Sequence, residues 1–386
     1  MPSPQARAMG APLKYVQGPG ELKNLPAHLS PLGTSLLAVI DPFLYDSLSK
    51  ELLDICSKDS FKIKTCKFGG ECTLGEVARV SALAEAEKAS VVAGLGGGKT
   101  LDAAKLAARN LGLPVAVIPT SASTDAPVSA MAILYHPDGR HIRAELLGRA
   151  PDLVLVDTEI IAKAPLRLFA AGIGDALSTW YEAEANRLSQ TPNYIGQGYQ
   201  SCLAAQAVAR ACFEAVKGRG REALEDLAAG KLSAAVEDVI EANILLSGLG
   251  FENTGCAAAH ALHTGLHEIS GSNAIYHGEM VALGVLFQLV LEEAPEKELI
   301  EEADFLAGLG LPVSFEDMGL SVGEAELDKI VARILSGSSG IEAEPFELTP
   351  EKVKRALRGA DALGRSRRSQ RPELRKAFCS PAVRAG

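Results

Sequence analysis

Four of the chain's seven histidines, His260, His263, His267 and His277, crowd into one short stretch of a sequence otherwise sparse in histidine. Such clustering points to metal binding or proton transfer. The first three lie in AAAHALHTGLH at i, i+3 and i+7, on one helix face, so their spacing alone does not say which of them would hold an ion. His277 follows in YHGEM, and Asp175 sits in GIGDALSTW at the start of another helical stretch. One carboxylate and two imidazoles, as in Asp175, His260 and His277, make a three-ligand set for a divalent cation with an open coordination position. His267 reads instead as an ordinary core or surface histidine. From Leu232 to Glu296 there is no Lys or Arg. A phosphorylated substrate held near these histidines would therefore find no cationic clamp in this segment.

A second candidate lies upstream, where Gly94, Gly96, Gly97 and Gly98 follow an apolar run and precede a helix opening near Thr100. That junction is where an α/β sheet turns backbone N–H groups and a helix N-terminus toward a phosphate. The dinucleotide pattern G-x-G-x-x-G is not met, because Lys99 stands in place of its last glycine. The triphosphate-loop pattern fails too, since it needs glycine where Ala93 stands. Asp41 ends an earlier apolar run at the point where a carboxylate can accept hydrogen bonds from a ribose and repel a 2'-phosphate, which favours NAD over NADP. Followed by Pro42, it is equally suited to starting a turn.

The elements that must position these groups divide the chain in two. Short apolar runs at 35–41, 90–96, 114–120 and 151–157 alternate with amphipathic stretches such as TLGEVARVSALAEAEKA and TLDAAKLAARNLG, the rhythm of a parallel sheet with crossover helices. Gly112 is placed to cap the second of these helices, with Pro114 just beyond it. After Pro165, Ala- and Leu-rich stretches at helical spacing dominate and no strand is evident. The expected organisation is an α/β domain over residues 1–164 and a helical domain over 165–386, consistent with a length of 386 residues.

A net charge of −10 argues against nucleic acid as a partner. The opening MPSPQARAMGAPLKY has no signal-like apolar run, and no stretch reaches the roughly 18 apolar residues of a membrane helix. A cytoplasmic location is expected, without membrane partners. The seven cysteines form no C-x-x-C pair and read as reduced thiols, mostly core residues. Residues 365–386 carry seven basic side chains and one acidic one, and read as a solvated terminal helix with a frayed end.

Four segments together carry a resemblance that spans nearly the whole chain. They are GLGGGKTLDAAK (94–105), IPTSASTDAPVSAMAILY (118–135), GIGDALSTWYEAEA (172–185), and AAAHALHTG (257–265) with HGEMVALG (277–284). In these the sequence resembles the metal-dependent, so-called iron-containing, alcohol dehydrogenase superfamily. The resemblance implies a Rossmann-like N-terminal domain, an all-helical C-terminal domain in the manner of dehydroquinate synthase, and an active site in the cleft between them. It implies that Asp41, Gly98, Lys99, Thr120, Ser123, Ser129, Met131 and Tyr135 hold NAD, with Gly96 and Gly97 completing the turn. Met131 departs from the leucine expected there, an apolar exchange of little consequence.

By the same matching Asp175, His260 and His277 are the metal ligands, and Asp125 stands beside the substrate hydroxyls. His263 is a weaker candidate for supporting His260 or relaying a proton. Iron-using relatives carry a further histidine four residues after the ligand aspartate, where this chain has Thr179. The resemblance therefore points to zinc rather than iron, and to two substrate oxygens at one ion. The expected reaction is oxidation of glycerol or a similar vicinal diol to a hydroxyketone, the metal lowering the carbinol pKa and NAD taking the hydride. A different polyol or alcohol is the nearest alternative; a phosphorylated substrate or a sugar-phosphate cyclase fits the cation-free segment poorly. Family tendency and the apolar helical half suggest a homo-oligomer.

Overall fold

A computed structural model describes residues 5–58 and 61–370. They form two compact units, one of residues Gly10–Ala164 and one of the described parts of Met1–Met9 and Pro165–Gly386.

The first unit is built on a six-stranded parallel sheet. Its strands are β1 (Tyr15–Gly18), β2 (Ser35–Ile40), β3 (Lys62–Lys67), β4 (Val91–Gly96), β5 (Val115–Pro119) and β8 (Leu153–Asp157), in the order β1-β8-β5-β4-β2-β3. β6 (Met131–Tyr135) and β7 (His141–Leu146) form a separate antiparallel hairpin. β4, β5 and β8 are buried along their whole length, as continuous apolar runs must be when helices cover a parallel sheet.

The four apolar runs expected as strands are β2, β4, β5 and β8. The hairpin and both sheet edges were not evident beforehand, for physical reasons. β1 is only four residues long, and β3, with the sequence KIKTCK, places exposed lysines along an edge where extended pairing must be discouraged. Crossover helices α1 (Tyr45–Lys58), α2 (Leu74–Ala86) and α3 (Gly98–Leu111) pack between the strands. The Thr73 hydroxyl accepts from the Glu76 N–H at the start of α2. Gly112 closes α3 in the left-handed conformation, φ 64°, which a side chain would strain.

The second unit has no strand among the described residues. Its principal helices are α4 (Leu166–Ser189), α5 (Leu203–Ala228), α6 (Ala258–Leu266), α7 (His277–Leu291), α8 (Glu296–Gly308) and α9 (Pro350–Gln370). α7, HGEMVALGVLFQLVL, is buried at every position except His277 and Val290, and α4, α6, α8 and α9 pack against it, while α5 packs on α4. Small residues make those approaches very close. A Cβ on Gly278 would lie 1.9 Å from the Ala171 carbonyl oxygen of α4, and one on Gly284 would lie 2.2 Å from the Ala259 carbonyl oxygen of α6.

The basic run departs from expectation. Arg367 makes two 2.8 Å hydrogen bonds to Asp304, and buried Arg368 reaches Asp317 and the carbonyls of Ala307 and Leu311 at the end of α8. These arginines are docked rather than solvated, Arg367 by a two-pronged pair with the Asp304 carboxylate and Arg368 by the Asp317 carboxylate and two carbonyls at and just beyond the helix end. The rest of the run, 371–386, lies outside the described residues, as does Cys379. No disulfide joins the six described cysteines. Among the described residues no helix is long and apolar enough to cross a membrane.

Candidate metal centre and nucleotide turn

Asp175 lies about two and a half turns into α4, in a stretch, AAGIGDA, whose small side chains let α7 come against it. His260 stands in the first turn of α6, and His277 is the first residue of α7. The entry to α7 is held by Arg167, whose guanidinium makes 2.6 and 2.7 Å hydrogen bonds to the Glu279 carboxylate, while Glu279 also accepts from the Tyr276 N–H.

These three helices bring Asp175, His260 and His277 together. Asp175 Oδ1 is 3.5 Å from His260 Nε2 and 3.2 Å from His277 Nε2, and the two imidazole nitrogens are 3.3 Å apart. A tetrahedral ion with bonds of about 2.0–2.1 Å holds neighbouring ligand atoms about 3.3 Å apart, so the triangle has the dimensions of one face of such a site. Both Asp175 oxygens are buried without a hydrogen-bond partner, a costly arrangement unless a cation completes it. Burial alone would raise the Asp175 carboxyl; the His277 and His260 imidazoles outweigh it and hold the group well below the usual carboxylate range. The residues therefore fit a divalent metal.

A second group, Glu182, Cys256 and His260, is also close enough to ligate. Its carboxylate is already committed, however. Glu182 Oε1 accepts from the N–H groups of Ala257 and His260 at 2.8 and 2.9 Å, and Oε2 lies 2.7 Å from His260 Nδ1. Unmet demand lies at Asp175, not here. Thr179, four residues after Asp175, is buried with its hydroxyl 3.0 Å from that of Ser247.

His263 is placed by His277 rather than by the ion: its Nε2 is 3.0 Å from His277 Nδ1 and 3.1 Å from His267 Nε2. His267 is exposed.

In the sheet unit, β4 delivers the glycine turn to the N-terminus of α3, which begins at Gly98, two residues earlier than Thr100. The glycines divide by role. A Cβ at Gly94 would lie 2.9 Å from the Ala104 methyl, and one at Gly96 would strike Thr100 and Asp41, whereas Gly97 faces open space and Gly98 has only distant neighbours. Gly94 and Gly96 thus serve packing, and Gly97 and Gly98 leave the helix N-terminus accessible.

Asp41, next to this turn, accepts from the Phe43 N–H at 2.9 Å and lies 3.5 Å from the Thr100 hydroxyl, so it does start a turn while standing at the strand end. Lys99 pairs with Glu71 at 2.6 Å and lies over the Tyr135 ring. The Thr120 N–H donates to the Gly96 carbonyl. Ser123, Asp125 and Ser129 lie on the segment from β5 to β6, where Met131 begins the hairpin; the Ser123 hydroxyl is 3.1 Å from that of Ser121, and Ser129 donates to the Ala126 carbonyl.

Two residues that organise this segment escaped sequence reasoning. Fully buried Lys105 donates to the carbonyls of Ala126 and Met131 at 2.5 and 3.0 Å, and Asp102 accepts from the Ile133 N–H while pairing with Lys105. The available signal was a charged pair at i, i+3 in LDAAKLAA, a stretch otherwise apolar. Glu182 escaped as well; it lies seven residues after Asp175, on the same helix face.

A family model for iron-containing alcohol dehydrogenases matches residues 12–158. The glycerol dehydrogenase of Thermotoga maritima is 43% identical over 93% of this chain and 98% of its own. Among solved structures, a probable glycerol dehydrogenase from Sinorhizobium meliloti superposes with a TM-score of 0.88 at 41% identity, covering 94% of this chain and 99% of that one. The glycerol dehydrogenase of Schizosaccharomyces pombe gives 0.92 at 32% identity, covering 99% and 97%. The chain belongs to the iron-containing alcohol dehydrogenase family, and its α/β and helical units have the fold of that family. It is an oxidoreductase acting on alcohols, and these three relatives, matched over nearly their full length, carry the name glycerol dehydrogenase.

Proposed function

We propose that the chain oxidises glycerol, or a similar vicinal diol, to the hydroxyketone with NAD and a zinc ion held by Asp175, His260 and His277. The observation that carries this reading is the 3.2–3.5 Å triangle of donors around an otherwise unpartnered buried carboxylate. When bound, the ion supplies Lewis-acid charge that lowers a carbinol pKa, and NAD supplies hydride acceptance.

The remaining work falls to side chains and backbone. With Thr179 engaged by Ser247, the protein offers three ligands and would leave a bound ion open to substrate hydroxyls. Asp125 hydrogen-bonds a substrate hydroxyl and accepts its proton as the carbinol ionises. The accessible N–H groups of Gly97 and Gly98 bind the pyrophosphate, and Asp41 binds the ribose and disfavours a 2'-phosphate. Lys99, Thr120, Ser123, Ser129, Met131 and Tyr135 complete the dinucleotide site, and His263 steadies His277 by engaging its outer nitrogen.

A panel of glycerol, other diols, simple alcohols and glycerol phosphates, assayed with NAD and NADP before and after chelation, tests this directly. Vicinal diols with NAD should be turned over best, activity should vanish on chelation, and zinc should restore it. Turnover that survives complete metal removal overturns the reading. Asp125→Asn should cut kcat by about 10²–10⁴ while metal content and NAD affinity stay as they were. Unchanged kcat removes Asp125 from the mechanism.

A further inference from the structure

Helix α6 starts without a capping side chain of its own, since Ala257 precedes it and Ala258 and Ala259 open it. Its first N–H groups are nevertheless all taken, each by a side chain from elsewhere in the unit. Glu182 of α4 accepts from Ala257 and His260, Glu344 accepts from Ala258 at 3.1 Å, and Gln288 of α7 accepts from Ala259 at 3.2 Å. These are the donors a helix start leaves unpaired, so the turn that carries His260 is fixed from three sides.

Glu182 does one thing more. Its Oε1 is used by two backbone donors, which fixes the carboxylate plane and turns Oε2 to His260 Nδ1 at 2.7 Å, with the Ser178 hydroxyl donating to the same oxygen at 3.3 Å. An imidazole meeting an acceptor there must carry its proton on Nδ1. Its Nε2 lone pair then points to Asp175 and His277.

We propose that Glu182 is the positioning residue that holds His260 in the Nδ1–H tautomer, so that Nε2 is free to ligate the metal. This rests on the metal reading above and adds to it the side chain that makes His260 a ligand rather than a donor. The same logic applies to His277, whose Nδ1 faces His263, although there the partner is another imidazole.

Glu182→Gln isolates the effect, because glutamine has the same shape but one acceptor oxygen. Turned so that its oxygen keeps both backbone N–H groups, its NH2 faces Nδ1 and forces the proton to Nε2, where it blocks the metal. Turned the other way, it leaves two buried N–H groups without an acceptor. The second arrangement forfeits two buried hydrogen bonds at the helix start, so the first prevails, and metal binding suffers while those contacts are kept.

Glu344→Gln is the matched control. Burial and the neighbouring Glu292 carboxylate push the Glu344 carboxyl up, and glutamine keeps both its shape and the acceptor oxygen for the Ala258 N–H.

The experiment titrates metal-free wild type, E182Q and E344Q with zinc and with cobalt(II), reading affinity and the cobalt d–d spectrum. E182Q should bind about 10- to 100-fold more weakly, with an altered cobalt spectrum, and E344Q should match wild type. E182Q binding as tightly as wild type with an unchanged spectrum overturns the proposal. Wild type that takes up neither ion at Asp175 instead overturns the metal reading on which it rests. Nitrogen-proton correlation spectra of zinc-loaded, ¹⁵N-histidine wild type give an answer independent of any variant: the His260 proton should sit on Nδ1, and a proton on Nε2 overturns the assignment.

Discussion

Asp175→Asn is expected to yield a folded protein that retains almost no metal and turns over about a thousandfold more slowly than wild type. The carboxylate is buried, its two oxygens have no hydrogen-bond partner, and two imidazole nitrogens lie 3.2 and 3.5 Å from one of them. Asparagine fills the same space, so packing against α7 should survive. It withdraws the only formal negative charge among the three proposed ligands, and a hard cation loses most where charge is lost. Lewis-acid stabilisation is worth several kcal/mol, and losing about 4 kcal/mol of it slows the reaction about 10³-fold. Elemental analysis and kcat check this together: a full complement of metal with kcat within about tenfold of wild type means that Asp175 is not a ligand.

Much of this centre could be read from residue types, because metal ligation uses few of them. The histidine cluster at 260–277 and the lone aspartate in GIGDALSTW stood out without any structure. What could not be read was which nitrogen faces which partner. Glu182 looks in sequence like its neighbour Glu184, yet Glu184 pairs with Arg187 at the surface while Glu182 is buried against α6. Only the helical interval from Asp175 separates the two, and an interval names a face without saying what packs on it.

Lys105 posed the same difficulty, since buried lysine is rare enough that an amphipathic helix is the natural reading. The strands followed a similar divide. Central strands declare themselves by continuous apolar runs, whereas edge strand β3 is written to avoid looking like one. Arg367 and Arg368 were misread because a basic helix end gives no sign of the carboxylates and carbonyls that dock it.

The glycines beside the proposed ligands lead to the second large effect. Gly174 precedes Asp175 and Gly278 follows His277, and the two lie against each other where α4 crosses α7. A Cβ on Gly278 would sit 1.9 Å from the Ala171 oxygen, and one on Gly174 would sit 2.6 Å from the Gly278 oxygen. Both obstacles are backbone, so no side-chain rotation relieves them, and Gly278→Ala must push the helices apart by roughly 1.5 Å to restore contact distances. Overpacking of this kind costs about 1–3 kcal/mol, which in a unit of this size lowers Tm by about 2–12 °C.

The functional loss should be larger than the stability loss, because His277 moves with α7 while Asp175 stays with α4. A misplacement of about 1 Å costs on the order of 10²-fold in a preorganised site, and metal affinity should fall by a similar factor. Gly218→Ala separates this effect from a general cost of replacing glycine. It lies on an exposed face of α5 with nothing within 4 Å of an added Cβ, and should be neutral or stabilising by about 0.5–1 kcal/mol with metal affinity unchanged. If Gly278→Ala melts and binds zinc as wild type does, the close crossing of α4 and α7 is not what sets the distance between Asp175 and His277.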